Sequence, residues 1–267
     1  VYYLKRMCRK HILDYGPTSL IPRRKLPFTA EIIEQLVTSP EQAYGRWTLK
    51  WCSREGRALR AFILLSAATG MRKAELTVDA ASVFDNTCAS RAQVMWCLRG
   101  RVYTDPPPEL LANPRDGDYV IVIPPLSKAD QTGEVWGANP IYIPYLADEV
   151  LCAFSALAAV ELEDPVPAPQ RARTPLISPS GEQPFKAEWL DRVLPRLLTP
   201  VVGAAQVGEY SWHSMRIYKA CALLAAGASV PTIQAMCRWQ TEESLAIYAR
   251  LNPGAYSYWL QRSLRAN

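Results

Sequence analysis

Clustered metal ligands, paired cysteines and long apolar runs are what this 267-residue sequence lacks. Its only two histidines are His11 and His213, so a metal centre built on several histidines is excluded. The seven cysteines are odd in number and scattered, without a C-x-x-C pair, which argues against a disulfide framework and a zinc site. No apolar run approaches the roughly 18 residues of a membrane span, and no secretion signal is seen. We therefore expect an intracellular protein without a metal or a membrane partner.

The remaining composition is typical of a globular protein. Hydrophobic residues make up 49% of the sequence and charged residues 21%, which excludes wholesale disorder and fibrous repeats. Since a domain usually contains roughly 100–200 residues, the length fits one large domain, or one domain plus a fragment of another. The sequence has no P-loop, no kinase glycine loop and no phosphatase C-x₅-R signature, so kinase and protein-phosphatase functions have no support.

Positive charge is concentrated at the start of the sequence. The net charge is +5, but residues 1–25 hold seven basic side chains and one acidic one, which leaves the rest nearly neutral. Such an arm is compatible with a polyanionic partner, although solvated helices carry similar runs. An amphipathic helix is predicted over residues 1–15, and an extended linker over the proline-containing residues 16–27. We interpret residues 1–25 as the end of an upstream domain plus a linker, and residues 26–267 as the main domain.

Apolar periodicity predicts a mainly helical main domain with one small antiparallel sheet inserted early. Thr29 is a suitable N-cap for its first helix, and Gly70 allows the left-handed turn that ends the second. Segments rich in Val, Ile and Tyr predict strands, and six prolines predict a long loop. The predicted strands are 93–98, 119–123 and 141–143; the loop is 163–184; the helices are 30–37, 56–68, 147–162, 186–198, 212–226, 230–237, 242–250 and 255–264. The predicted class is therefore α+β, mainly α, with a helical C-terminal half.

Arg72 follows this helix-ending glycine, at a corner between two helices. Glu75 lies three residues further on, within reach as a helical neighbour. One interpretation is a guanidinium fixed for a chemical role. The alternative is a surface Arg–Glu pair that contributes little to stability.

His213 and Arg216 are spaced to lie on one face of a helix. Ser211 is a plausible N-cap, which would place His213 in the first turn, where backbone N–H groups favour an anion. The neighbouring arginine suits a phosphate better than a metal ion. The alternative is a lone histidine packed near a helix start.

Lys128 and Tyr248 are two further candidates. Lys128 lies at the tip of the predicted hairpin and is the only lysine between Lys73 and Lys186. Tyr248 falls on a predicted helix that begins near Thr241. A solvated turn lysine, and a tyrosine that packs its ring and keeps its hydroxyl wet, are the alternatives.

In this order, the candidates resemble the active-site set of the tyrosine recombinase (phage integrase) family. The segment TGMRKAEL, which contains Arg72, is similar to the first arginine box of the family. The segment HSMR, from His213 to Arg216, is similar to its second box. Trp239 lies 23 residues after Arg216 and 9 residues before Tyr248, which are intervals similar to those of the family.

The resemblance extends over about residues 26–260 and has two departures. The family often has Gly-His where this sequence has Arg238-Trp239, although tryptophan is a known alternative there. The family's DNA-clamping N-terminal domain is missing apart from its possible last helix, in residues 1–25. The basic residues of the linker are candidates for DNA binding: Arg23, Arg24 and Lys25.

The resemblance implies transesterification at a DNA phosphodiester, without ATP, metal or another cofactor. It assigns phosphate-holding roles to the two arginines, a base or orienting role to the histidine and an acid role to the lysine. It also assigns an N–H donor role to the tryptophan, the nucleophile to the tyrosine and an orienting role to the glutamate. In the order of these roles, the residues are Arg72 and Arg216, His213, Lys128, Trp239, Tyr248 and Glu75.

The implied partners are double-stranded DNA and further copies of the chain. Strand exchange implies assembly on DNA, as a tetramer in synapsis, for which a tail helix within residues 253–267 is a candidate; folding back on its own domain is the alternative. Localisation would be cytoplasmic for a bacterial or phage element and nuclear for a eukaryotic one. Two other functions stay open: a type IB topoisomerase-like nicking and resealing enzyme, and a DNA-binding module of the same fold without activity.

Overall fold

Eight helices and eight short strands are found in the computed structural model, which describes residues 2–16, 24–44, 47–85, 87–126, 134 and 139–239. The helices are α1 Tyr2–Tyr15, α2 Ala30–Thr38, α3 Arg54–Thr69, α4 Pro108–Ala112, α5 Ala153–Glu163, α6 Ala187–Val202, α7 His213–Ala225 and α8 Val230–Cys237. The strands are β1 Gln42–Tyr44, β2 Trp47–Leu49, β3 Thr77–Val78, β4 Val94–Leu98, β5 Arg101–Tyr103, β6 Tyr119–Val122, β7 Ile141–Pro144 and β8 Phe185–Lys186. The predicted α+β, mainly α class is confirmed. In the described ranges, no helix is both long and apolar enough to cross a membrane.

Helix α3 is the central element of the core. It is apolar on most sides, and such a helix is stable only when other elements surround it; here α5 and α7 pack against it. Leu59, Phe62, Ile63 and Leu65 have no exposed surface. The helix ends at Gly70 in the left-handed conformation, with φ 65°, as predicted. This core holds the C-terminal end of α3 in a fixed position.

The predicted antiparallel sheet has four strands in the order β5-β4-β6-β7. Its inner face is buried and consists of Val94, Trp96, Val120, Val122 and Ile143. The Trp96 ring packs edge-on against Phe154 of α5, with centroids 5.2 Å apart. Strand β5 was not predicted. It follows a tight turn in which Arg99 and Gly100 both have positive φ, and the Asp118 carboxylate accepts a hydrogen bond from the Arg99 N–H at 2.7 Å.

The predicted proline-rich loop 163–184 is anchored to the body by a buried ion cluster. It contains a 3₁₀ turn, Ala168–Arg173, and connects α5 to β8. Glu161 accepts hydrogen bonds from Arg91 and Arg171, each at 2.6 Å, and at most 5% of each of the three side chains is exposed. The loop thus follows one path, although its backbone has little regular structure.

Several boundaries differ from the predicted ones. Helix α5 begins at Ala153 rather than at residue 147, because Asp148 adopts a left-handed φ of 58° and the Cys152 thiol caps the helix. Helix α6 continues to Val202, past the predicted end at 198. The predicted helices 242–250 and 255–264 lie outside the described residues.

Some short elements were not predicted at all. Strands β1 and β2 pair with each other, β3 pairs in parallel with β8, and α4 has five residues. The β3–β8 pair contains only two residues from each strand, more than 100 positions apart in the sequence. Such long-range pairs leave no local periodicity to detect.

Candidate active site

The corner after α3 fixes Arg72 beside a buried carboxylate. A 3₁₀ turn, Lys73–Glu75, begins there. The Arg72 backbone N–H donates to Glu75 Oε2 at 2.8 Å, and Arg72 Nη1 donates to Glu75 Oε1 at 3.2 Å. The Arg72 side chain is 31% exposed, whereas that of Glu75 is 5% exposed. Glu75 therefore orients Arg72 from its buried side, while part of the guanidinium still faces solvent.

Arg216, on α7, connects three distant segments of the chain. It is buried, with 4% of its surface exposed. Its Nη1 donates to the Gly70 carbonyl at 2.6 Å, its Nη2 donates to the Cys237 carbonyl, and its guanidinium lies 5.6 Å from the centroid of the Trp239 ring. Neutral carbonyls and an aromatic face orient a guanidinium without cancelling its charge. Arg216 is thus a fixed and buried cation.

The surroundings of Arg216 lower its pKa but leave it charged at neutral pH. Burial is the main cause, followed by the positive charges of Arg72 and Arg238, and together they bring the pKa to about 10. Glu75 opposes this shift. A cation kept in such a positive environment gains much from an arriving anion.

His213 is the first residue of α7 and lies beside both arginines. Partial desolvation lowers its pKa first, and the charges of Arg216 and Arg72 lower it further, although the side chain is still exposed to solvent. At neutral pH its imidazole is therefore mostly uncharged. An uncharged imidazole has one ring nitrogen that can accept a proton.

The predicted N-cap of α7 is wrong. Ser211 does not cap the helix with its side chain; instead, the Ser211 backbone N–H donates to Ser214 Oγ at 3.1 Å. The reason is the packing of Trp212, whose ring lies edge-on to Phe62, with centroids 5.0 Å apart. This buried contact sets the direction in which the chain enters α7. The predicted place of His213 in the first turn is nevertheless found.

Arg72, His213 and Arg216 line one open cavity. Its volume is about 390 Å³, within the usual range for small-ligand sites. Lys73 and Asp191 also line it and form an ion pair with each other, with 2.6 Å between Lys73 Nζ and Asp191 Oδ2. Arg72 pairs with Glu75, whereas Arg216 is hydrogen-bonded to neutral carbonyls rather than to a carboxylate. The cavity therefore keeps a positive charge that can bind an anion.

Arg238 is a further residue of the site that the sequence interpretation did not assign. Its Nη2 donates to Glu75 Oε2 at 2.6 Å, and the residue is 8% exposed. Glu75 is therefore shared by two arginines. The available signal was the departure at Arg238-Trp239, an arginine where the resembled family often has glycine.

The structure brings together five of the predicted site residues: Arg72, Glu75, His213, Arg216 and Trp239. Trp239 is buried against Arg216 and is not among the described lining of the cavity, so its predicted N–H donation to a phosphate stays a prediction. Lys128, Tyr248 and Arg23 lie outside the described residues. Arg24 and Lys25 are exposed, and Lys25 Nζ donates to the Gly208 carbonyl, which does not test DNA binding.

The described part of the chain contains no group of three or more His, Cys, Asp or Glu side chains arranged to hold a metal ion. The described site brings together two arginines, a carboxylate and an imidazole.

Comparison with known proteins gives matches in structure only. Neither a family model nor a curated protein matches the chain. The chain is similar to the crystal structure of XerA recombinase, at 15% identity and a TM-score of 0.47, over 92% of this chain and 67% of that one. It is also similar to a Tn1549 transposon integrase fragment in complex with circular intermediate DNA, at 15% identity and a TM-score of 0.47, over 98% and 75% of the two chains. A variant of that integrase with another circular intermediate DNA gives 15% identity and a TM-score of 0.45, over 97% and 76%.

Proposed function

We propose that the chain is a tyrosine-type DNA recombinase, which cuts and rejoins DNA strands through a 3′-phosphotyrosyl intermediate. The supporting observation is the convergence of Arg72, His213 and Arg216 on one cavity, although the first lies more than 140 positions before the other two. The alternative interpretation of Arg72 and Glu75, a surface ion pair, does not account for a buried carboxylate shared with Arg238. The reaction needs neither a metal nor ATP.

Charge is the main physical obstacle in this reaction. A phosphodiester is already an anion, and its pentacovalent transition state carries more negative charge on the non-bridging oxygens. Arg72 and Arg216 can bind these oxygens with paired N–H donors that strengthen as the charge develops. Because Arg216 is held by carbonyl oxygens and a ring, it is oriented before the phosphate arrives.

Two proton transfers complete the step. The phenolic oxygen of Tyr248 attacks phosphorus, and its proton passes to His213, whose lowered pKa keeps it neutral and able to accept. The bond from phosphorus to the 5′-oxygen breaks, and Lys128 gives that oxygen a proton. The products are a 3′-phosphotyrosyl ester and a free 5′-hydroxyl. Since one phosphate ester replaces another, the hydroxyl of a second strand can reverse the step.

Strand exchange also requires partners. We propose that the enzyme acts on double-stranded DNA, that the basic residues Arg23, Arg24 and Lys25 contribute to binding it, and that copies of the chain assemble on it. The proposed place of action is the cytoplasm for a bacterial or phage element, or the nucleus for a eukaryotic one.

Covalent capture tests the assignment of the nucleophile. Nicked duplexes made from genomic DNA of the source organism should yield a denaturant-resistant adduct, because the nick lets the 5′-hydroxyl fragment diffuse away. Tyr248→Phe should abolish the adduct, while the matched variant Tyr256→Phe should keep it. Sequencing of the captured DNA would identify the site.

The outcomes separate the competing functions. An adduct that persists in Tyr248→Phe would reject this nucleophile. DNA binding without any adduct would favour the inactive module. An adduct accompanied by relaxation of supercoiled DNA, without joining of two duplexes, would favour the topoisomerase-like enzyme.

A further inference from the structure

Arg238 occupies a backbone conformation that favours glycine. It follows α8 with φ 53° and ψ 53°, in the left-handed region. A side chain there crowds the following carbonyl, so residues other than glycine, asparagine and aspartate are uncommon. The side chain is also buried, and its Nε has no hydrogen-bond partner in the described part of the chain. The buried side chain of Arg238 makes a contact that glycine could not.

That contact is with the carboxylate that orients Arg72. Glu75 Oε2 accepts from Arg238 Nη2 at 2.6 Å and from the Arg72 backbone N–H at 2.8 Å. Glu75 Oε1 accepts from the Arg72 guanidinium at the longer distance of 3.2 Å. The shorter of the two guanidinium bonds therefore goes to Arg238, and Arg72 receives the weaker one.

Arg238 also contacts the second arginine of the cavity through its backbone. Its carbonyl lies 3.4 Å from Arg216 Nη2, next to the Cys237 carbonyl that accepts from the same nitrogen. The left-handed turn thus directs a side chain to Glu75 and a carbonyl to Arg216. Arg238 thus contacts both the carboxylate that holds Arg72 and the guanidinium of Arg216.

The charge balance around Glu75 shows what Arg238 adds. Arg72 and Glu75 alone would form a neutral pair, in which the buried carboxylate is free to hold the guanidinium tightly. With Arg238, one anion is shared by two cations, so a net positive charge stays beside the cavity. A guanidinium that is only partly engaged keeps more of its N–H donors for a ligand.

We propose that Arg238 is a positioning residue for Arg72. It binds one side of Glu75, so that the carboxylate orients Arg72 without neutralising it. Arg238 itself does not touch the phosphate. The identity of that phosphate as DNA rests on the proposed function, whereas the positioning of Arg72 does not.

Two substitutions and a matched control test this role. Arg238→Gly removes the guanidinium and suits the backbone, and Arg238→Lys keeps a charge that can still reach a carboxylate. The control is Arg99→Gly, since Arg99 is another arginine at positive φ, 51°, in the exposed turn between β4 and β5. Each variant is assayed for single-turnover adduct formation on captured DNA. Arg72 labelling by phenylglyoxal is followed by mass spectrometry.

We expect Arg238→Gly to lower the single-turnover rate by about 10- to 100-fold, the usual cost of a misplaced catalytic group. The DNA concentration at half-maximal rate should change little. Arg238→Lys should recover part of the rate, and Arg99→Gly should match the wild type. Arg72 should react more slowly with phenylglyoxal in Arg238→Gly, because Glu75 then holds it more tightly.

The labelling of Arg72 and the formation of the DNA adduct test different statements and can fail independently. If Arg72 labelling is the same in Arg238→Gly and the wild type, the positioning role is overturned, whatever the activity. If the wild type forms no adduct, the recombinase function is rejected, and the labelling result still decides the role of Arg238. Equal cleavage by Arg238→Gly and the wild type also overturns the proposal.

Discussion

At the scale of single residues, the most direct chemical consequence lies in the environment of His213. Its pKa is lowered by burial and by the charges of Arg216 and Arg72. The same arginines that prepare the cavity for an anion therefore keep the imidazole uncharged. In the proposed function, one arrangement of cations would serve both phosphate binding and proton acceptance.

The pH dependence of cleavage follows from this lowered pKa. A base must be neutral, so the single-turnover rate should fall only when the pH drops below the pKa of His213, at a midpoint under the ordinary value of 6.5. His213→Gln should lose about 10²–10⁴-fold in rate and lose this acid limb. Rates measured on captured DNA between pH 4.5 and 8 would test it, and an acid limb retained in His213→Gln would contradict the assignment.

The stability of the folded chain should depend on pH in the same direction as the cleavage rate, falling in acid. The unfolded chain binds a proton at His213 near pH 6.5, whereas the folded chain binds it only at lower pH. The contribution of a neutral His213 is therefore complete above pH 6.5 and is lost as the pH falls toward the folded pKa. Loss of rate in acid must accordingly be measured where the protein is still folded.

At the scale of elements, the cluster Arg91–Glu161–Arg171 fixes the long connection between α5 and β8. Each arginine lies on a different segment, and Glu161 on α5 joins them. Replacing the carboxylate leaves two buried cations facing each other. Such uncompensated buried charge is far more costly than the loss of an exposed pair.

A pair of substitutions on one helix separates these two cases. Glu161→Gln should lower the free energy of unfolding by about 3–5 kcal/mol, as expected for breaking a buried ion cluster. Glu163→Gln, two residues further on, removes the partner of the more exposed Arg57 and should cost about 0–1 kcal/mol. Urea denaturation of both variants gives the comparison. Equal losses would mean that burial does not set the value of these ion pairs.

The elements also show how far the sequence alone can lead. The capping hydroxyl of Thr29 and the left-handed Gly70 were predicted and are confirmed, because each acts on neighbouring backbone groups. The start of α5 was misplaced, because the left-handed Asp148 has no sequence signature. The two-residue β3–β8 pair depends wholly on tertiary packing. Features set by neighbouring residues, such as helix caps, could be predicted from the sequence, whereas pairing between distant segments could not.

The candidate site follows the same rule. The resemblance to the tyrosine recombinase family singled out Arg72, His213 and Arg216, and the structure brings them to one cavity. Spacing could not show that Glu75 is shared with Arg238, because that bond joins residues 163 positions apart. Whether Lys128 and Tyr248 reach the same cavity stays a prediction.

At the scale of the whole molecule, arginine side chains supply the positive charge of the described cavity. Arg72 and Arg238 pair with the buried carboxylate of Glu75, and Arg216 lies within its electrostatic range. Burial of the carboxylate makes these interactions stronger than they would be in water. In many phosphoryl-transfer enzymes, Mg²⁺ supplies the corresponding charge. The overall charge of +5 adds a weaker, longer-range attraction for a polyanion.

This source of charge leads to a last prediction, on metal removal. Adduct formation on captured nicked DNA should continue at an unchanged rate in excess EDTA, because arginine side chains are not removed by a chelator. Rising salt should weaken DNA binding, since released counterions drive the association. A Mg²⁺-dependent restriction enzyme in the same EDTA buffer should stop cutting, which shows that chelation is complete. Loss of the adduct in EDTA, with recovery on adding Mg²⁺, would mean that the arginines do not carry the charge of the transition state alone.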